Sequence, residues 1–258
     1  MSDIIDDLAA EHDALDALVG DLPETQWLTP TPAEGWDVRD SLSHLHYFDL
    51  TATQALTDPE AFGVHVEQVL SAGGMLDAAD TRLGRELGSL ALLAAWREGR
   101  TCLIEAMRAQ DPSHRVPWYG PAMSLKSFVT ARLMETWAHG VDICDALGLP
   151  VIVSDRLRSV CHISIGARAY SFFVNGAHDP GDPIRCELTS PSGELWSWGP
   201  EDAANRVTGA ALDLALVVTQ RRHLEDTQLV VTGPTAAAWM AIAQSFAGVS
   251  GGGRKPLT

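Results

Sequence analysis

Cysteine is scarce in this chain, basic residues are outnumbered, and long apolar runs are missing. The four cysteines, Cys102, Cys144, Cys161 and Cys186, lie far apart with no CxxC pair. That excludes a cysteine-built zinc site and a disulfide-stapled scaffold, and it fits reduced thiols in a cytoplasmic protein. Lysine and arginine total 18 against 34 aspartates and glutamates, a formal charge of −16. Such a field repels phosphate backbones and anionic lipids, so neither nucleic acid nor a membrane is an expected partner. It does not exclude an anionic small molecule, because one arginine can reverse the potential inside a pocket. No segment reaches the roughly 18 apolar residues of a membrane span. The opening residues, MSDIIDDLAAEHDAL, carry acid where a secretory signal carries base, so export is not expected. Internal repeats and low-complexity tracts are missing too.

What is present is a globular composition, 46% hydrophobic and 20% charged over 258 residues, enough for one large domain or two. Helical periodicity runs through Asp3–Leu18 and then through GWDVRDSLSHLHYFDLTATQAL, where Asp37 is an N-cap before Val38. Pro59 and Gly63 suggest a break, with a further helix from Val64 to Leu70 and a turn at Gly73–Gly74. Met75 to Arg108 reads as one long helix bent near Gly84, Gly88 and Gly99, and DPSHRVPWYGPAMS as a loop. ARLMETWAHGVDICDALG, Ala131 to Gly148, is helical again. Long helices joined by loops predict an antiparallel bundle over residues 1–150, a fold whose metal sites form between facing helices.

After Gly148-Leu149-Pro150 the pattern predicts a small α+β domain over residues 151–248. Its parts are a helix from Asp155 to Phe173, a hairpin around Pro191-Ser192-Gly193, and a helix from Val207 to Gln220. A strand QLVVT (228–232) and a helix from Pro234 to Phe246 complete it, leaving 249–258 as a mobile tail.

Chemistry concentrates on Ala131–Gly148. Glu135 and His139 stand four residues apart, about 40° around a helix, so both leave one face. A carboxylate oxygen and an imidazole nitrogen are both donors for zinc and similar divalent metals, but two donors do not hold a catalytic metal. His44 is the best third ligand, on an early amphipathic helix able to face Ala131–Gly148. His46 lies about 200° round from His44, too far to share its metal. The competing account is a solvated i,i+4 pair. His65, His114, His162, His178 and His223 have no partner pattern, and Trp36 and Trp137 read as core.

GWDVRDSLSHLHYFD resembles the W-(S/D)-V-(R/K)-D-x-x-x-H-L segment of the mycothiol-dependent maleylpyruvate isomerase family, within the DinB-like metal-binding bundles. ETWAHGVDICDALG resembles that family's E-x-W-x-H-x-x-D segment. The resemblance implies a zinc site at His44, Glu135 and His139, with Asp142 matching the family's aspartate as an orienting residue. It implies mycothiol as co-substrate and a sterol-carrier-like C-terminal domain, to which VTGAALDLALVVTQRR and QLVVTGP are similar. A substrate-binding arginine then falls at Arg221 or Arg222, although Gln220 replaces the glycine usual before it. An ordinary helix-terminal charge is the other account of that pair.

The expected protein is therefore mostly α: a DinB-like antiparallel four-helix bundle followed by a small sterol-carrier-like α+β domain. Its expected work is to activate a low-molecular-weight thiol against a small electrophilic, carboxylate-bearing substrate, as an isomerase or transferase. The alternatives are a metal-dependent hydrolase using metal-bound water, and a non-catalytic carrier of apolar ligands with a structural metal. Nickel or iron could replace zinc, and the residues do not select the substrate or the oligomeric state.

Overall fold

The computed structural model describes residues 2–71 and 79–257 and divides into two compact units, 1–152 and 153–258. The first unit is helical. Its long members are α1 (Ser2–Val19), α3 (Val38–Thr57), α6 (Ser89–Arg108) and α7 (Leu125–Leu147), with shorter α2 (Glu24–Trp27), α4 (Pro59–Ser71) and α5 (Ala79–Leu87) between them. α3 is central, packing on α5, α6 and α7, while α1 packs on α7 and α6. Leu15, Trp27, Leu42, Leu45, Leu92, Trp96 and Ile143 meet in the core. This is the expected four-helix bundle.

Local chemistry sets the ends of these helices. Asp37 caps α3 as expected: its Oδ1 accepts from Asp40 N (2.9 Å) and Asp40 Oδ2 accepts from Asp37 N (3.1 Å). Such a cap contributes about 1 kcal/mol. Pro59 opens α4 rather than only breaking the chain, and Asp58 Oδ1 accepts from Ala61 N at 3.0 Å. α7 ends at Gly148, whose φ of +66° suits glycine.

Of the three glycines expected to bend a helix running to Arg108, only Gly88 (φ +78°) interrupts it, separating α5 from α6. Gly84 and Gly99 stay helical and permit close approach instead. A Cβ on Gly84 would lie 2.6 Å from Ser43 Cβ, and one on Gly99 would lie 3.2 Å from His46 Nδ1. The Gly73–Gly74 turn and the helix start at Met75 lie outside the described residues. The expected loop before α7 contains a short antiparallel pair, β1 (Arg115–Val116) with β2 (Met123–Ser124).

The second unit is α+β, as expected. α8 (Leu157–Gly166) and α9 (Arg168–Val174) replace the single expected helix, breaking at Ala167. β3 (Ile184–Thr189) and β4 (Leu195–Trp198) form the hairpin around Pro191-Ser192-Gly193, β5 (Asn205–Ala210) runs parallel to β3, and β6 (Val230–Thr232) closes the order β4-β3-β5-β6. Residues Val207–Ala210 were expected to be helical. They extend β5 instead, with Asn205 and Val207 buried in alternation, and the helix α10 spans only Ala211–Val218.

α11 (Pro234–Met240) stops short of the expected Phe246, where the Gln244 amide donates to the carbonyls of Phe246 and Val249. Its N-terminus is capped by Asn205 Oδ1, 2.9 Å from Thr235 N. Beyond it Gly251 N donates to Gln244 Oε1 (2.8 Å) and Leu257 N to Asp226 Oδ1 (2.9 Å). Among the described residues no helix is long and apolar enough to cross a membrane.

Candidate metal centre

His44 projects from α3, and Glu135 and His139 from one face of α7. One donor atom from each lies within 4.8 Å of the others. His44 Nε2 is 3.9 Å and His139 Nε2 3.6 Å from the same oxygen, Glu135 Oε2. The two imidazole centroids are 4.5 Å apart. Both rings turn Nε2 inward and Nδ1 toward a carboxylate. His44 Nδ1 meets Asp80 Oδ2 at 2.8 Å, and His139 Nδ1 is 3.5 Å from Asp142 Oδ2. The side chains of His44, Glu135 and His139 are 18%, 23% and 9% exposed, so the cluster is recessed but reachable.

Burial pushes the Glu135 carboxyl up, but hydrogen bonds and charge from His139 and His44 outweigh it and hold it well below the usual carboxylate range. Burial pushes His44 down, and Asp80 and Glu135 reverse that, leaving the imidazole raised. Three carboxylates (Glu135, Asp80 and Asp142) thus ring two imidazoles. Asp80 is hydrogen-bonded to His44, and Asp142 lies 3.5 Å from a His139 Nδ1 that makes no hydrogen bond among the described residues. The donor set, two imidazole nitrogens and one carboxylate oxygen, fits a divalent cation. Three protein donors is also the number found in catalytic zinc sites, whereas structural sites use four.

The surroundings were less legible in the sequence. Trp36, read as core, is only part-buried: it stacks on His139 (5.8 Å, 16°) and leans on His44 (5.3 Å). Trp137 is buried, with Nε1 donating to Ile152 O at 3.1 Å. Phe48 also packs against His44, ring centroids 4.6 Å apart. One turn on from His44, the Tyr119 hydroxyl is 2.8 Å and the Tyr47 hydroxyl 3.4 Å from His65 Nε2, so His65 does have partners. Burial raises both phenols, which keeps them protonated as hydrogen-bond donors. Arg132, one turn before Glu135, ties α7 to α3 through buried Asp49 (2.9 Å). Asp80, Arg132 and Asp49 carry no spacing signal, because tertiary packing brings them to the site.

His46 faces away, as its angle required, into a groove of about 670 Å³ along α3 and α6 lined also by Glu98 and Cys102. His162 accepts from Trp198 Nε1 (3.2 Å), and His223 accepts from Glu225 N in a turn. In the second unit Arg221 and Arg222 follow α10, with both backbone N–H groups donating to Leu216 O (2.8 and 3.2 Å). Their guanidinium groups donate to the carbonyls of Thr219 and Arg221. Gln220 before them adopts φ +59°, a left-handed conformation that favours glycine.

The fold and this donor set define a class: helical bundles that present two histidines and a glutamate from facing helices. Residues 8–144, more than half of the chain, match the family described as Mycothiol maleylpyruvate isomerase N-terminal domain, and the chain belongs to that family. A shorter stretch, residues 180–232, matches the family described as Wyosine base formation and spans β3 to β6. Two strains of Mycobacterium tuberculosis carry relatives 45% identical over 249 residues, 96% of each chain, both titled only as uncharacterized proteins. Among solved structures, the crystal structure of the mycothiol-dependent maleylpyruvate isomerase shares the fold with a TM-score of 0.55 at 16% identity, covering 85% of this chain and 89% of that one. A mutant form of that enzyme gives 0.54 at 15% identity with the same coverage.

Proposed function

We propose that the chain is a metal-dependent enzyme that activates a low-molecular-weight thiol, mycothiol by family, against a small unsaturated or otherwise electrophilic substrate bearing a carboxylate. The observation that carries this is the convergence of His44, Glu135 and His139 within 4.8 Å, with Asp80 hydrogen-bonded to His44 and Asp142 3.5 Å from His139. Those three residues would hold a divalent cation, zinc by the family resemblance, with nickel or iron served by the same donors. When bound, the cation favours the thiolate form of a thiol at neutral pH.

The chain's own residues do the rest. Glu135 would bring one negative charge to the cation and the two imidazoles none, with Asp80 and Asp142 as further buried carboxylates behind the rings. Trp36 and Phe48 wall the histidines and restrict water, which strengthens electrostatics at the reacting atoms. Arg221 or Arg222 binds the substrate carboxylate, a role supported by the family resemblance. Addition of the thiolate sulfur to an electron-poor carbon forms a C–S bond and turns the adjacent double bond into a rotatable single one. Elimination after rotation gives isomerisation, and retention of the adduct gives transfer. Four unpaired cysteines suit a cytoplasmic setting rich in reduced thiol.

The test is turnover of small unsaturated carboxylates by zinc-loaded protein with and without thiol. Turnover that needs both metal and thiol supports the reading. Turnover with metal alone points to metal-bound water as the nucleophile, as a hydrolase would use it, and bound lipid with no turnover makes the chain a carrier.

A further inference from the structure

We propose that Asp80 is the positioning residue of this centre: it holds His44 as the Nδ1–H tautomer and so leaves a bare Nε2 lone pair facing the space it shares with Glu135 and His139. The inference concerns the site of the preceding section and rests on that reading only where metal affinity is measured.

An imidazole donates a metal-binding lone pair from one nitrogen only when its proton sits on the other. Asp80 Oδ2 lies 2.8 Å from His44 Nδ1, and a carboxylate there accepts a proton-bearing nitrogen and repels a bare one. Asp80 is itself fixed. It is 8% exposed, and its second oxygen accepts from Thr81 N at 2.9 Å. Its backbone carbonyl accepts from the Ser43 hydroxyl, one residue before the histidine it orients. The same hydroxyl accepts from Gly84 N (2.8 Å), and Arg85 grips Asp40 with two nitrogens at 2.8 and 2.7 Å. α5 is therefore clamped along α3 at three successive places, and Asp80 is carried to His44 by that clamp.

The two imidazoles differ in how they are backed. Asp142 sits three residues after His139 on the same helix, so its approach follows from helical spacing. Asp80 comes from a separate helix, so the orientation of His44 depends on tertiary packing. A carboxylate behind a metal-binding histidine typically contributes 10–100-fold in metal affinity.

The test has two arms on full-length protein. In metal-free protein, at a pH well above imidazole titration, long-range proton–nitrogen NMR reads the His44 tautomer, assigned with His44→Gln. The expected result is Nδ1–H in wild type and in Asp80→Asn, whose amide oxygen still accepts, and loss of that preference in Asp80→Ala. In the second arm, competition against a chromophoric chelator should show zinc affinity lowered about 10–100-fold in Asp80→Ala and less in Asp80→Asn. Leu103→Ala, a core truncation on α6 outside the α3–α5 clamp, controls for general loosening and should leave the tautomer unchanged.

Nε2–H in wild type, or Asp80→Ala zinc affinity within about twofold of wild type, overturns the proposal. If wild type binds no zinc, the metal reading fails while the tautomer still decides the role of Asp80.

Discussion

Arg132 on α7 and Asp49 on α3 form a hydrogen-bonded ion pair, Nη2 to Oδ1 at 2.9 Å, with both side chains under 5% exposed. The pair sits one helical turn before Glu135 and five residues after His44, so it pins the helices that supply the donors. Removing one member strands the other charge in the core, which costs about 3–5 kcal/mol, whereas replacing both with apolar residues costs far less. Arg132→Met should therefore lower urea-unfolding stability by that amount, and Arg132→Met with Asp49→Leu should recover most of it. Equal losses in the single and double variants would show that the pair is not what holds α3 to α7.

His12 gives a pH dependence of definite sign. It is 1% exposed, and burial is the main cause lowering its pKa from 6.5 to about 4, against the opposing charge of Asp49. Between those values the unfolded chain binds a proton that the folded chain does not, so stability rises with pH through this window and is lost as pH falls from 6.5 toward 4. The loss is at most about 3 kcal/mol. The raised pKa of His44 in metal-free protein acts in the opposite sense, adding stability that disappears as pH rises through its folded value. His12→Gln isolates the first effect. Urea midpoints near neutral and mildly acid pH should diverge in wild type and draw together in the variant.

How α5 seats against α3 can be tested without touching a charged group. An added methyl at Gly84 meets Ser43 Cβ at 2.6 Å, so Gly84→Ala must push the helices apart. Overpacking of this kind costs about 1–3 kcal/mol. Zinc affinity should fall with it, in the direction of Asp80→Ala, because Asp80 moves with α5. Unchanged affinity in a measurably destabilised Gly84→Ala protein would separate the packing from the centre.

The arginines after α10 carry the substrate claim. Hydrogen bonds to charged groups contribute about 1.5–3 kcal/mol, so loss of the carboxylate partner should raise KM about 10–100-fold. The variant to measure is the double Arg221→Ala, Arg222→Ala protein with a carboxylate substrate, beside an uncharged analogue whose KM should not move. Unchanged KM for the carboxylate would remove both arginines from the account.

Legibility in the sequence followed the range of the interactions. His44, Glu135 and His139 were readable because helical spacing sets the relation of the latter two, and the segments around all three carry recognisable patterns. The Asp37 cap, the Gly148 terminus and the Pro191-Ser192-Gly193 hairpin are local as well. Asp80 was invisible: it stands 36 residues from His44 and reaches it only through packing permitted by Gly84. Trp36 looked like core because residue type says nothing about which side of a tryptophan is covered. Val207–Ala210 looked helical because VTGAALDLALVV is apolar enough to mask strand alternation, and pairing with β3 and β6 makes it a strand. Gly84 and Gly99 looked like bends because sequence does not distinguish a glycine that turns the chain from one that admits a neighbour.

Metal content of the purified protein after metal-supplemented preparation tests the central claim most directly, with His44→Ala and Glu135→Ala prepared alongside. About one equivalent per wild-type chain, lost in both variants, is the predicted result for a three-donor site. Less than about a tenth of an equivalent in folded wild type, or equal metal in all three proteins, would contradict it.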